Sequence, residues 1–80
     1  MKSYKNLNGN SNVKAYMDGN QFIIIQFMSG ENTYYKYTDY SAGASAIVHM
    51  SLLAKQGYGL NSYVNTNKPP YVAKGSNLLL

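Results

Sequence analysis

The sequence predicts an α+β fold: a three-stranded antiparallel β-meander packed on one main α-helix, followed by a short second helix. Three observations predict it. Residues 21–38 read as two β-rich runs, Gln-Phe-Ile-Ile-Ile-Gln-Phe-Met and Asn-Thr-Tyr-Tyr-Lys-Tyr-Thr, on either side of Ser29-Gly30-Glu31. That is the signature of a β-hairpin. Residues 12–18 alternate and end in Asp18-Gly19-Asn20, a turn signal that delivers a further strand antiparallel to the first run. Residues 42–56 carry Ala46, Met50 and Leu53 at i, i+4 and i+7, with Ile47, Ser51 and Ala54 as an adjacent row and Val48 and Leu52 as a third. Such a broad apolar face can cover one side of a small sheet.

The elements follow in order. Residues 1–10 are rich in Asn, Gly and Ser and have little to bury, so they read as a loose arm, part of which can extend the first strand. In residues 12–18, Val13, Ala15 and Met17 point one way and Lys14, Tyr16 and Asp18 the other. Residues 22–28 are apolar on both faces and contain three consecutive Ile, which favours a central strand over a helix. A loop of Ser29-Gly30-Glu31 sets Phe27 opposite Thr33, Ile25 opposite Tyr35 and Ile23 opposite Tyr37. Ile23, Ile25, Phe27, Tyr35 and Tyr37 then lie under the helix with Val13, Ala15 and Met17. The open face carries Lys14, Tyr16, Phe22, Ile24, Gln26 and, further along, Met28, Tyr34 and Lys36. A one-residue slip would exchange the faces of a strand.

Ser41 or Asp39 is placed to cap the helix, Lys55 lies in its last turn, and Gly57 is a natural residue just past its end. Residues 60–65 read as a short helical segment with Leu60, Tyr63 and Val64 inward. Asn67-Lys68-Pro69-Pro70 stops it, because consecutive prolines impose an extended backbone. Tyr71-Val72 docks as a last extended piece. Residues 73–80 end in three leucines with no evident partner and read as a loose tail.

At 80 residues the chain makes a single small domain, one that buries only about two-thirds of its unfolded surface. It has no cysteine, which excludes disulfides and thiolate metal sites and suits a reducing, cytoplasmic setting. Lys2 and Lys5 are followed by Asn and Gly rather than an apolar run, so no signal peptide is expected. The longest apolar run, residues 22–25, is far too short to span a membrane. Seven Lys and no Arg against Asp18, Glu31 and Asp39 give a net charge of +4. A basic balance suits an anionic partner. It also suits the Tyr-, Asn- and Lys-rich composition of an AT-rich genome. The lack of Arg removes the bidentate forks most used on phosphate and guanine.

The order of strand, strand, Tyr-x-Tyr strand, helix and Gly-rich joint resembles a known family. The matching pieces are Ser11-Asn12-Val13, the apolar run 22–27, Tyr35-Lys36-Tyr37, and Gly57-Tyr58-Gly59-Leu60-Asn61-Ser62-Tyr63-Val64-Asn65. Together they resemble the KTSC domain, a short module found as a single-domain bacterial or phage protein and at the C-terminus of some lysyl-tRNA synthetases. The resemblance covers about residues 11–72. The family commonly has an Asn-Gly or Asp-Gly hairpin turn and a Val-Pro before its helix. Here the turn is Ser-Gly-Glu-Asn, and Tyr40-Ser41-Ala42-Gly43 precedes the helix. What the resemblance implies is a binding role, with RNA proposed for the family from its synthetase context. It brings no catalytic residues.

The residues themselves point away from an enzyme. Catalysis by a nucleophile or an acid–base pair needs a base held by an orienting group. His49 is the only histidine and sits mid-helix, and the three carboxylates lie in or beside predicted turns. Metal binding needs clustered Cys, His or carboxylates, and none is clustered in sequence, so neither a metal nor a cofactor is expected. Gly57-x-Gly59 follows a helix instead of preceding one, and Ser41-Ala-Gly-Ala-Ser45 lacks the phosphate-loop Lys. Both read as cap and turn chemistry.

The open face is where a function is expected. Lys14, Tyr16, Tyr34 and Lys36, helped by Lys55 and Lys68, interleave rings and ammonium groups as single-stranded RNA binders do. The alternative is protein contact through Phe22, Ile24 and Met28, with a partner or a second copy, as in a phage- or plasmid-type accessory protein. A third reading has the N-terminal arm or residues 71–80 fold across that face.

Overall fold

The structure is a computed structural model that describes residues 1–78. It is α+β, as the hydrophobic pattern predicts, but the antiparallel sheet has five strands in sequential order rather than three. They are β1 (Lys2–Ser3), β2 (Val13–Asp18), β3 (Phe22–Phe27), β4 (Tyr34–Thr38) and β5 (Ala73–Gly75). Three helices, α1 (Asp39–Ala42), α2 (Ala44–Gln56) and α3 (Leu60–Asn67), stand between β4 and β5. The two added strands come from the segments with least to bury. β1 pairs with β2 through Lys2 opposite Tyr16 and Ser3 opposite Ala15. β5 pairs with β4 through Tyr35 opposite Lys74. Neither terminus is therefore wholly a loose tail. Leu79 and Leu80 lie outside the described residues.

The central hairpin forms in the expected register: Ile23 faces Tyr37, Ile25 faces Tyr35, and the Phe27 N–H donates to the Thr33 carbonyl at 2.7 Å. Side chains alternate across a strand, so Ile23, Ile25 and Tyr37 share the face that meets Ile47, Met50 and Ala54 of α2 and Leu60 of α3. Phe27, Tyr35, Tyr63 and Val64 pack on the edge of that core.

On β2 the expected alternation fails. The register shifts between Val13 and Ala15, so that Val13 faces Phe27 while Ala15 faces Gln26 and Tyr16 faces Ile25. Lys14 is the extra residue of a β-bulge. Beyond it every side chain changes face. Tyr16, expected in solvent, is only 6% exposed and belongs to the core. Ala15 and Met17, expected under the helix, stand on the other face beside Gln26 and Ile24. Burying a tyrosine ring in place of an alanine methyl removes far more apolar surface from water.

The helical region also differs in detail. The expected helix over 42–56 is broken at Gly43, where φ is +93°. Neither Ser41 nor Asp39 caps the main helix, which starts from Gly43 with no side-chain cap, while Thr38 caps α1. The Thr38 hydroxyl accepts from the Ser41 N–H (3.2 Å) and the Ser41 hydroxyl accepts from the Thr38 N–H (3.0 Å), a reciprocal capping box. α2 ends at Gly57, left-handed with φ +86°. A side chain is doubly unwelcome there, because an added Cβ would sit 2.7 Å from the Lys5 Cβ. The close approach exists because the N-terminal arm runs past this turn, with the Leu7 N–H donating to the Gly57 carbonyl at 2.8 Å. Tyr4 is buried in the core, and its hydroxyl accepts from the Leu60 N–H (3.3 Å). That N–H is one of the unpaired donors at the start of α3.

Candidate functional site

α2 and α3 both pack on the odd-numbered face of β3 and β4. The opposite face of the sheet carries no helix. Its residues follow from the pairing: Phe22 opposite Thr38, Ile24 opposite Lys36 and Met17, and Gln26 opposite Tyr34 and Ala15. Tyr34 and Lys36 thus stand where the sequence put them, both half-buried. Lys14, at the bulge, is exposed.

The other expected contacts are distributed differently. Tyr16 has turned into the core. Lys55 lies on the helix side, where its ammonium is 3.3 Å from Asp18, which also meets Lys2 at 3.7 Å. The bulge put Asp18 on that side. Lys68 ends α3 and lines a groove on the helix side as well. Of the six expected nucleic-acid contacts, Tyr34 and Lys36 therefore stand on the open face, and Lys14 is exposed at the bulge.

The protein-contact set changes too. Ile24 is 1% exposed although no helix covers it. Its cross-strand partners Met17 and Lys36 and its same-face neighbours Phe22 and Gln26 shelter it. The Phe22 ring is drawn across the β2–β3 turn, so close to Gly19 that a Cβ there would collide with it. The Lys36 ammonium lies 5.6 Å from the centre of that ring, within cation–π range. Met28 is the exposed member of the set, at 53%. The larger exposed apolar stripe is on α2, where Val48 is 66% and Leu52 62% exposed. This is the third helix row of the sequence pattern, which faces away from the sheet.

A second concavity was not visible in the sequence. A groove of about 560 Å³ opens between the end of the β3–β4 hairpin and α3. Phe27, Tyr35 and Tyr37 line it from the sheet, Asn61, Val64 and Asn65 from α3, and Pro70 and Tyr71 from the segment that leads into β5. Tyr35 is the hub: it meets Phe27 edge-on at 5.5 Å and Tyr71 edge-on at 5.1 Å, and lies nearly parallel to Tyr37 at 6.5 Å. Burial, with the neighbouring Tyr35 and Tyr71 phenols adding to it, pushes the Tyr37 hydroxyl up to about 12. A hydrogen bond to Tyr71 holds the Lys74 ammonium above its ordinary value. The sequence signal for this groove was the pair of Asn at i and i+4 in α3 and the pair of Tyr at i and i+2 in β4, but nothing in the sequence sets the two elements side by side.

Among the described residues, no three of His, Cys, Asp and Glu come together as a metal site, and no helix is long and apolar enough to cross a membrane. His49 is exposed on α2, with its ring 4.6 Å from that of Tyr63. The chain matches no family model, no curated protein and no solved structure.

Proposed function

We propose that this chain is a small, non-enzymatic, cytoplasmic binding module of the KTSC type, and that its open sheet face takes single-stranded RNA or DNA. The observation that carries the reading is the helix-free face on which Phe22, Gln26, Tyr34 and Lys36 stand together, with Lys14 exposed at the bulge beside it. Rings on a flat sheet accept stacked bases at about 1–3 kcal/mol each, and ammonium groups follow the phosphates. The net charge of +4 attracts such a ligand from a distance. The element order from β2 to α3 goes with the KTSC resemblance.

Contact with a protein is the competing reading, in a partner complex or a homodimer. It is the weaker one at this face, because Ile24 at its centre is already sheltered.

Fluorescence anisotropy with a labelled single-stranded RNA tests the proposal. Tyr34→Ala with Lys36→Ala should weaken binding about tenfold or more, given the loss of one stacking platform. Two lysine–phosphate contacts predict a logarithmic salt slope of about −1.4, at about 0.7 per phosphate for single strands. Unchanged binding in the double variant, or no salt dependence, would remove the idea.

A further inference from the structure

We propose that a strand bound on the open face leaves the sheet over its β1–β2 edge, where Lys14, Lys5, Lys2 and Lys55 hold its phosphates, so that the ligand is a long single-stranded nucleic acid rather than a short oligonucleotide. This path rests on the nucleic-acid reading of the open face and takes the strand on to the helix side. Three observations carry it.

The first is where the charge lies. Four of the seven lysines stand on β1 (Lys2), just after it (Lys5), on β2 (Lys14) and in the last turn of α2 (Lys55). The one carboxylate beside them is Asp18. The other three, Lys36, Lys68 and Lys74, share the rest of the molecule with Glu31 and Asp39. Three of the four net positive charges therefore sit along this edge. The negative end of α2, about half an elementary charge, lowers the local sum and leaves it positive. All four lysines of the edge are exposed.

The second is that these lysines form a connected run. The Lys14 carbonyl accepts from the Tyr4 N–H at 3.0 Å, which sets Lys5 close to Lys14 across the β1–β2 edge. The Lys5 stem lies against Gly57, two residues beyond Lys55. Lys2 is paired opposite Tyr16 and so points to the helix side with it. Its ammonium is 3.7 Å from Asp18, and the Lys55 ammonium is 3.3 Å from the other oxygen of the same carboxylate. Asp18 thus gathers two lysines and neutralises one. The run turns around an edge, from the bulge beside the open face to the helix side, which suits a flexible strand better than a flat bilayer.

The third is that the other ways off the open face are less favourable to a phosphodiester. Glu31 stands in the loop that closes the β3–β4 hairpin, and Asp39 begins α1 directly after β4, so a carboxylate marks each end of the hairpin. The β5 edge has a single lysine, Lys74, with its ammonium 5.3 Å from the centre of the Tyr71 ring. In the strand order, β1 lies three spacings from the Lys36 strand, a crossing of about 14 Å at about 4.8 Å each.

Fluorescence anisotropy with a labelled uridine tetramer and a labelled decamer, each over a range of salt, tests the path. The tetramer, held on the open face, should show the logarithmic slope of about −1.4 given by two phosphates. The decamer should reach about −2.8, because Lys5 and the Lys2–Lys55 pair, net of Asp18, add two more phosphates at about 0.7 each. Lys5 has no ion-pair partner among the described residues. Lys5→Glu should weaken the decamer about tenfold and leave the tetramer unchanged. Asp18→Asn should tighten the decamer about threefold, an effect that damage to the fold would not produce. Suppose Tyr34→Ala with Lys36→Ala weakens both strands. Equal slopes for the two strands, or a decamer indifferent to both Lys5→Glu and Asp18→Asn, would then overturn the path and leave the open-face reading standing. Decamer binding that survives Tyr34→Ala with Lys36→Ala would remove that reading and the path with it. Vesicles rich in phosphatidylserine should not displace the decamer; displacement would assign the edge to a membrane surface and overturn the path.

Discussion

Tyr37 shows how much one side chain carries in this protein. It is paired with Ile23 in the sheet, packed beneath α2, and left with its hydroxyl toward the groove. Burial is the main reason its hydroxyl is raised from 10.0 to about 12, because a phenolate loses its hydration there. The sign of the consequence follows. The unfolded chain gives up this proton near pH 10, while the folded chain keeps it to about 12. Folding stability is fully present below pH 10 and falls as the pH rises from about 10 to about 12. Urea unfolding followed at pH 9, 10, 11 and 11.5 should show that decline. Tyr37→Phe should flatten it relative to the parent chain, and an equal slope in both would contradict the assignment. Tyr4 is the other residue of this kind: its ring is core and its hydroxyl closes an orphan donor of α3.

At the scale of elements, the bulge in β2 decides which side chains reach the open face. Without it, Tyr16 would share the open face with Tyr34 and Lys36, across β3 from them, and Ala15 would face the helix side. With it, the open face loses a ring, the core gains one, and Asp18 comes within reach of both Lys2 and Lys55. A crossed pair of substitutions reads this directly. Tyr16→Lys should cost roughly 3–5 kcal/mol, as an unpaired charge in the core. Met17→Lys should cost about 1 kcal/mol or less, since position 17 looks toward solvent. Chemical denaturation distinguishes the two, and regular alternation would require the reverse ranking. The bulge was not legible because strictly alternating apolar residues, Val13, Ala15 and Met17, describe a regular strand. Only the cross-strand partners reveal that one residue is extra. By contrast β3 and β4 were legible. Three Ile in a row and Tyr-x-Tyr leave one register in which large side chains meet under a helix. The Gly57 stop was legible too, since a left-handed residue is needed there. The break at Gly43 was not, because Ala42 and Ala44 on either side are good helix formers.

For the whole molecule, the edges of the sheet matter more than their length suggests. β1 has two residues and β5 has three, yet they form the two edges of the β2–β4 meander and bring Tyr4 and Tyr71 into place. A domain of this size has little stability to spare. Deleting residues 1–5 removes β1, the Tyr4 ring and its bond to Leu60, and exposes Tyr16 and Leu60. The melting temperature should fall by more than about 10 °C, since each kcal/mol moves it about 4–8 °C at this length. A fall of only a degree or two would show that the arm is a passive tail.

The sequence by itself determined the fold class, the central hairpin and its parity, the existence of an apolar α2, though not that its Val48–Leu52 row faces away from the sheet, and the helix-free face with Tyr34 and Lys36 on it. Each of these is a local periodicity, and the period of a strand or helix is set by the backbone alone. Only the tertiary structure decided that Tyr16 turns inward, that both chain ends become strands, and that α3 stands beside the end of the β3–β4 hairpin. Those outcomes depend on which distant segments find each other. The free energy that selects them comes from burial between segments, and no window of sequence contains both partners.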